Sequence, residues 1–458
     1  MVITIILSLL LLMFIAYRGF PVIIFAPICA LLAASTAGYA LLPTYTEMFM
    51  GNAVAFIKNM FPVFLLGAVF GKAMEDSGAA KAISRGIIGR LGYKHAMLAV
   101  VLATAVLAYG GISVFVVAFT IYPLGAAIFR EANIPKRLLP GTMVHGSFTF
   151  VYALPGLPQV QNIIPTRYFG TDAFAGAWFG IVFGAVIFVL GMLWLESRRK
   201  AAFAAGEGYG EGHKNEPTAD DLAKDEHEMP PVLAVLPLIA VLIINFFLTN
   251  AIKNWDPAIL DKFPGIKLSQ VAPTWALIVA LIIGIFMVMA FSWKRFTTAT
   301  AVSNSLTAGA IGSLLATMNT ASEVGYGNVV SKLPGFKTVA DFMMSIDIGS
   351  PLFSEAITVN VLAGITGSAS GGMVIALEAM GQQYLEWAQR TNVSPELLHR
   401  IATMAAGGLD TLPHNGAVIT VLAICGLNHR QSYKDMGMCT VVIPFTTVFV
   451  GIFLVSLF

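Results

Sequence analysis

Apolar residues come in long unbroken runs along this chain, separated by short charged stretches. Residues 174–195, 231–248, 275–291 and 436–458 are each apolar and long enough for a helix crossing a bilayer core of roughly 30 Å. The pattern predicts an all-α polytopic membrane protein with about ten transmembrane helices. The spans read as 2–16, 20–42, 52–72, 136–166 (broken), 174–195, 231–250, 271–292, 298–318, 398–425 (broken) and 436–457. The first 20 residues, MVITIILSLLLLMFIAYRGF, have no basic n-region and no small-x-small cleavage site, so they read as a first membrane helix.

Two apolar regions are too short to cross twice and too long to cross once. In 95–130, about 14 apolar residues lead to Tyr109-Gly110-Gly111-Ile112-Ser113, and about 16 more lead back to Arg130. Fourteen helical residues rise roughly 21 Å, less than the bilayer core. A re-entrant hairpin that turns near mid-membrane fits these lengths. Residues 353–388 repeat the design: 353–366 enter, GSASGG turns and 373–388 return.

Each hairpin precedes an interrupted helix. The first runs over 136–152 and breaks at Ala153-Leu154-Pro155-Gly156-Leu157-Pro158-Gln159; the second runs over 398–409 and breaks at Asp410-Thr411-Leu412-Pro413-His414-Asn415-Gly416. Proline removes a backbone donor and glycine relaxes the chain. A single such break could be a packed proline kink, but two pairs of motifs point to irregular backbone lining a cavity. Helix N-termini there offer free N–H groups and partial positive charge to an anion. Candidate substrate contacts are Gly110, Gly111 and Ser113; Pro155, Gly156 and Gln159; Ser368, Ser370 and Gly371; and Thr411, His414 and Asn415. No Arg or Lys falls inside the four motifs, which suits a single carboxylate better than a multiply charged ion.

Composition agrees with a membrane protein: 57% hydrophobic and 11% charged residues, with a mean hydropathy of +0.79. A net charge of +2 gives no argument for nucleic acid. Cys29, Cys425 and Cys439 lack metal spacing and read as buried thiols. With residue 1 outside, 18 of the 27 Lys and Arg fall on inner segments, so the positive-inside rule puts both termini outside. Residues 197–230, rich in acidic residues, Gly, Ala and Pro, read as a solvated cytoplasmic linker between halves 1–196 and 231–458. The halves show weak internal similarity: residues 70–92 lie over 314–336 with an offset of 247, setting Asp76 on Glu323, both read as helix caps. Spans before the matching stretches run in opposite directions, as in an inverted-repeat transporter.

The stretch GTMVHGSFTFVYALPGLPQVQNIIP (141–165), the tip GSASGGM and the later LPHNGAVI resemble the gluconate permease (GntP-type) family of the ion transporter superfamily. The resemblance implies bacterial inner-membrane uptake of sugar acids and small hydroxy-carboxylates, usually with protons. It also implies scaffold and transport subdomains, elevator-type movement and a homodimer. Where that family carries a more polar run near the second break, this chain has Leu412-Pro413-His414-Asn415 followed by apolar Ala417, Val418 and Ile419. That difference suits a smaller acid, such as a 3-hydroxybutyrate-like monocarboxylate.

Ionisable groups within membrane segments are candidates for coupling. His145 lies in the first broken helix, Asp410 at the second break and Glu355 at the start of the outer hairpin. Plainer readings exist: a packing histidine for His145, an interfacial cap for Glu355. Sodium competes with the proton as coupling ion, because unwound carbonyls beside Asn415 and Ser370 could ligate it. A channel is the second reading. No HExxH, paired intramembrane aspartates or nucleotide-binding loop points to an enzyme or an ATP-driven pump, and no cofactor is implied.

Overall fold

Inside the apolar runs the backbone finds hydrogen-bond partners only by coiling, and helices stop where glycine, proline or a capping side chain offers something else. The computed structural model describes residues 2–17, 20–112, 114–218, 222, 229–263, 266–345, 350–413 and 415–457, and these contain helices and no strand. Ser113 and His414 lie outside the described residues. The helices are α1 (Val2–Tyr17), α2 (Val22–Ser35), α3 (Leu41–Asp76), α4 (Ala79–Leu91), α5 (Ala96–Tyr109), α6 (Val114–Glu131), α7 (139–153) and α8 (Val160–Phe169). They continue as α9 (Ala177–Ala204), α10 (Pro231–Lys253), α11 (Leu268–Phe291), α12 (Ala299–Ser331) and α13 (Phe336–Ser345). The last are α14 (Pro351–Thr366), α15 (Ala369–Arg390), α16 (Pro395–Ala406), α17 (Gly416–Ile424) and α18 (His429–Val455). Among the described residues, α3, α9, α10, α18 and the stretch Gln270–Phe291 of α11 are long and apolar enough to span a membrane.

Several expected spans differ in length; 52–72, for one, lies within the 36-residue α3. The 20–42 run holds α2, 14 residues or roughly 21 Å, and its last two residues already begin α3. Ser35 and Thr36 turn their hydroxyls back onto the carbonyls of Leu32 and Ala33, each at 2.8 Å, and close the helix. The 298–318 run instead continues to Ser331, giving a 33-residue helix roughly 50 Å long. Ser305, Gly309, Ser313 and Thr317 form a buried stripe of small residues along it. A Cβ on Gly309 would stand 2.6 Å from Val69 Cα, so the stripe lets α12 lie almost backbone to backbone on α3.

The expected hairpins are present as helix pairs, α5 with α6 and α14 with α15, joined by the glycine-rich tips. The arm α5 has 14 residues and α14 has 16, both short of a bilayer. The basic helix α4 meets the α5 arm at an angle of 99°, through Gly92 at φ 64°. Between α14 and α15 the contact is closest at Gly372, where a Cβ would fall 2.1 Å from Ala363 N.

The offset of 247 does not survive. Helices α7 and α16 begin at Leu139 and Pro395, 256 residues apart, as do α8 and α17 at Val160 and Gly416. Asp76 is the last residue of α3 and pairs with Lys72 at 2.9 Å, whereas Glu323 lies well inside α12 and is only 4% exposed. Neither is an N-cap, and they are not equivalent. Few identities within short apolar matches leave the register loose by several residues.

Residues 205–218 also depart from the expected solvated linker. Glu216 binds Lys136 Nζ at 2.9 Å and pairs with Arg130, while Glu207 takes two bonds from Arg137, at 2.7 and 2.8 Å. Asn215 donates to Ala423 O at 2.8 Å, and Tyr209 is buried. Acidic residues that looked solvated in the sequence instead neutralise basic residues at the ends of α6 and the start of α7. Arg137 holds the Glu207 carboxyl below its ordinary range, so this contact persists at neutral pH and is lost only as acid protonates the carboxylate.

Gly372→Ala should separate the arms of the second hairpin and abolish both monodisperse protein and uptake. Gly312→Ala, where nothing lies within 4 Å of the new methyl, should leave both unchanged. Size-exclusion profiles and uptake assays of the two variants check this pair.

A candidate substrate site at two helix breaks

The first tip is tied to the first break. Tyr109 donates its hydroxyl to Pro155 O at 2.6 Å, and Gln159 Nε2 donates to Ala108 O at 2.6 Å. Gly111, at φ 87°, lies against the Pro158 ring, and any side chain there would be strained and crowded. Gly156 N bonds to Ala173 O at 2.8 Å, and Gly110 packs on Leu238 of α10. Pro155 and Gln159 are half-buried just before the first turn of α8.

The second tip is tied to the second break in the same way. Ser368 caps α15, its Oγ accepting from Gly371 N at 3.1 Å, with Ser370 Oγ at 3.5 Å. Asn415 caps α17, its Oδ1 accepting from Ala417 N at 2.8 Å and Val418 N at 3.0 Å. The same side chain donates to Gly367 O at 2.9 Å, joining the cap to the tip. Thr411 points elsewhere: its hydroxyl donates to Thr440 at 2.8 Å on α18.

The halves cross over. Helix α8, beyond the first break, packs on α15 of the second hairpin; α17, beyond the second break, packs on α6 of the first. Contacts therefore run from the first tip to α8, to α15 and the second tip, to α17, to α6 and back to the first tip. All four motifs belong to one closed ring.

Arg400, on α16, is the residue that sequence reading missed. It is 0% exposed, yet among the described residues its guanidinium forms no ion pair, and Asp172 acts on it only through its field. Its N–H groups go to Ala175 O, Leu154 O, Ala173 O and Asn162 Oδ1 at 2.5–3.4 Å. Leu154 belongs to the first break, Asn162 to α8 just beyond it, and Ala173 and Ala175 to the turn that leads into α9. The motifs hold no Arg or Lys in sequence, but the fold brings one beside them. Asn360 does similar work at the second break, its Oδ1 accepting from Leu409 N at 3.3 Å. Both are polar side chains inside apolar helices, which is the signal that could have found them.

The proposed coupling residues fall in three different settings. His145 is fully buried in a π-turn of α7, stacked on Phe188 and hydrogen-bonded to Phe188 O and Thr149 Oγ1. A Cβ on Gly191 of α9 would overlap its ring, so it fills a slot between helices as a packing histidine does. Asp410 is 2% exposed at the second break, with Oδ1 lacking a hydrogen-bond partner. Glu355 is one turn inside α14, wholly buried with neither oxygen bonded; Ser350 is the cap there instead.

A family model described as GntP family permease matches residues 1–458. The chain belongs to the GntP permease family. It is 47% identical over 454 residues to an uncharacterised transporter, YxjC, of Bacillus subtilis (strain 168), covering 96% of each. It is also 32% identical over 111 residues, 24% of each chain, to a high-affinity gluconate transporter of Escherichia coli (strain K12). Among solved structures, the YdaH transporter of Alcanivorax borkumensis, described as having an unusual topology, superposes with a TM-score of 0.60 at 14% identity, over 90% of this chain and 86% of that one. That likeness concerns the fold. This GntP permease is thus a multi-pass membrane transporter related to gluconate transporters.

Asn415→Leu removes both the cap and the bond to the tip; it should cost about 1–2 kcal/mol of stability and abolish uptake. Asn415→Asp keeps the cap and loses only the donor to Gly367, so it should recover stability without recovering uptake. Thermal unfolding in detergent beside uptake separates the two contributions.

Proposed function

We propose that this GntP permease is a secondary active importer of a small hydroxy-monocarboxylate, driven by protons, and that the ring of two tips and two breaks is its substrate site. The ring carries the proposal. It links α8, α15 and α17 through helix packing, with half-buried Ser368, Ser370, Pro155 and Gln159 at or just before their first turns. Free backbone N–H groups, neutral hydroxyls and a buried guanidinium that forms no ion pair among the described residues suit one carboxylate. The substrate is 3-hydroxybutyrate-like rather than gluconate-like, because beyond Asn415 the second break continues into apolar Ala417 and Val418.

On this reading residues 1–196 and 231–458 are inverted repeats, each with a re-entrant hairpin and a broken helix. The hairpins and breaks move as a transport subdomain against a scaffold, in a homodimer of the bacterial inner membrane with both termini outside. Asp410 and Glu355 serve coupling; His145 serves packing. Sodium is the alternative coupling ion, since unwound carbonyls at both breaks could ligate it.

Proteoliposomes given short hydroxy acids or gluconate, at two pH values with and without sodium, test the proposal. Saturable uptake driven by an inward proton gradient, stronger for 3-hydroxybutyrate than for gluconate and indifferent to sodium, is expected. Flux that never saturates and ignores every gradient indicates a channel, and uptake that requires sodium replaces the proton. An Ala205→Cys variant should label from the inner side; labelling only from outside reverses the orientation.

A further inference from the structure

The carboxyl group of Glu323 sits at the second tip. A Cβ built on Gly371 would stand 2.4 Å from Glu323 Oε2 and 2.5 Å from Oε1, so the carboxyl fills the space any side chain at 371 would take. Gly371 lies in the first turn of α15, whose free N–H groups form part of the ring described above. Glu323 is 4% exposed and, among the described residues, has neither a hydrogen bond nor an ion pair. A glutamate buried for structural reasons alone is ordinarily bonded. This one is aimed, unpartnered, at a helix N-terminus.

Its neighbours supply no counter-charge. Helix α12 packs on α2, α3, α13 and α15. On α3, Tyr45, Glu47, Lys58 and Glu75 are exposed, and Lys72 pairs with Asp76. Lys337 and Asp341 on α13 and Glu386 and Arg390 on α15 are exposed as well. The buried groups are committed: Glu378 to Tyr168 and Asn328, Tyr384 to Thr358, and Tyr326 of α12 to Ser8. Cys29 on α2 is a buried thiol.

We propose that Glu323 is a further proton-carrying group of transport, acting at the tip alongside the coupling residues Asp410 and Glu355, competing with the substrate carboxylate for the N-terminal turn of α15 and admitting it only when protonated. The inference rests on the carboxylate-transport reading above. An ionised Glu323 and a substrate anion on the same turn repel one another through a medium of low dielectric. A proton on Glu323 removes that repulsion. Proton and substrate therefore enhance each other's binding reciprocally, and one proton travels with one monocarboxylate. Glycine at 371 is what lets the carboxyl approach the turn so closely.

Glu323→Gln holds the position neutral at every pH. In wild-type proteoliposomes the apparent affinity for the transported acid should fall up to about tenfold per pH unit once Glu323 ionises. In the Gln variant the affinity should change less than about twofold between pH 6 and pH 8. Exchange of internal for external substrate should persist in that variant while accumulation driven by a pH gradient is lost. Glu323→Asp, a carboxyl one methylene shorter, should keep gradient-driven accumulation at a reduced rate. Gradient-driven accumulation and a wild-type pH profile in Glu323→Gln would overturn the role of Glu323 alone. If the Gln variant neither exchanges nor accumulates although it elutes as wild type, the carboxyl is not a proton carrier that neutral Gln can mimic, and the proposal falls. If the wild type exchanges no hydroxy acid of the panel, the transport reading itself fails and takes this inference with it.

Discussion

Every break in a membrane helix leaves backbone donors and acceptors that water cannot reach, and the architecture of this protein follows from satisfying them. Arg400 gathers the carbonyls of Leu154, Ala173 and Ala175 together with the Asn162 amide oxygen. Tyr109 takes Pro155 O, and Gln159 takes Ala108 O. At the second break Asn360 and Asn415 satisfy the chain from opposite sides. Each stranded acceptor would cost about 1–3 kcal/mol. Removing any of these side chains therefore threatens the fold before it touches a ligand.

These solutions also tie the two halves to one another. Arg400 comes from the second broken helix and binds the first break, while α8 and α17 each pack on the opposite hairpin. Neither half can build its own irregular segment alone. The long helices α3 and α12 pack on one another through a stripe of small residues, and α12 also reaches the second hairpin through Glu323 at Gly371 and Asn328 at Glu378.

Hairpins and breaks were legible in the sequence because proline and glycine act locally: a short apolar arm, a small-residue tip and an L-P pair read the same in the chain and in space. The register between the halves was not legible, since apolar helices tolerate sliding by a turn and few positions discriminate. Asp76 and Glu323 show the cost of that. Aligned by a 23-residue match, they lie in unrelated settings, one an interfacial pair with Lys72 and the other a buried carboxyl at the hairpin tip. The strap over 205–218 was misread for a different reason. Composition reports what a segment could do in water, whereas Glu207 and Glu216 meet their basic partners only after the chain has folded. Arg400 was counted among outer charges because its partners lie more than two hundred residues away.

The balance of buried charge bears on what can bind. Glu323, Asp410 and Glu355 are buried in or against the second hairpin and the second break, and the buried guanidinium of Arg400 is the cation the fold sets beside the ring. That guanidinium is already fully hydrogen-bonded to neutral acceptors, so it acts on an anion through its field rather than by direct contact. When these carboxyls are ionised acids outnumber bases here, and a bound carboxylate would add one more negative charge. Electrostatics alone then opposes binding unless a positive charge arrives with the substrate, whether a proton on one of the carboxyls or a metal cation among the unwound carbonyls. On the proposed reading, coupling to a cation would follow from this charge count whichever acid the site carries.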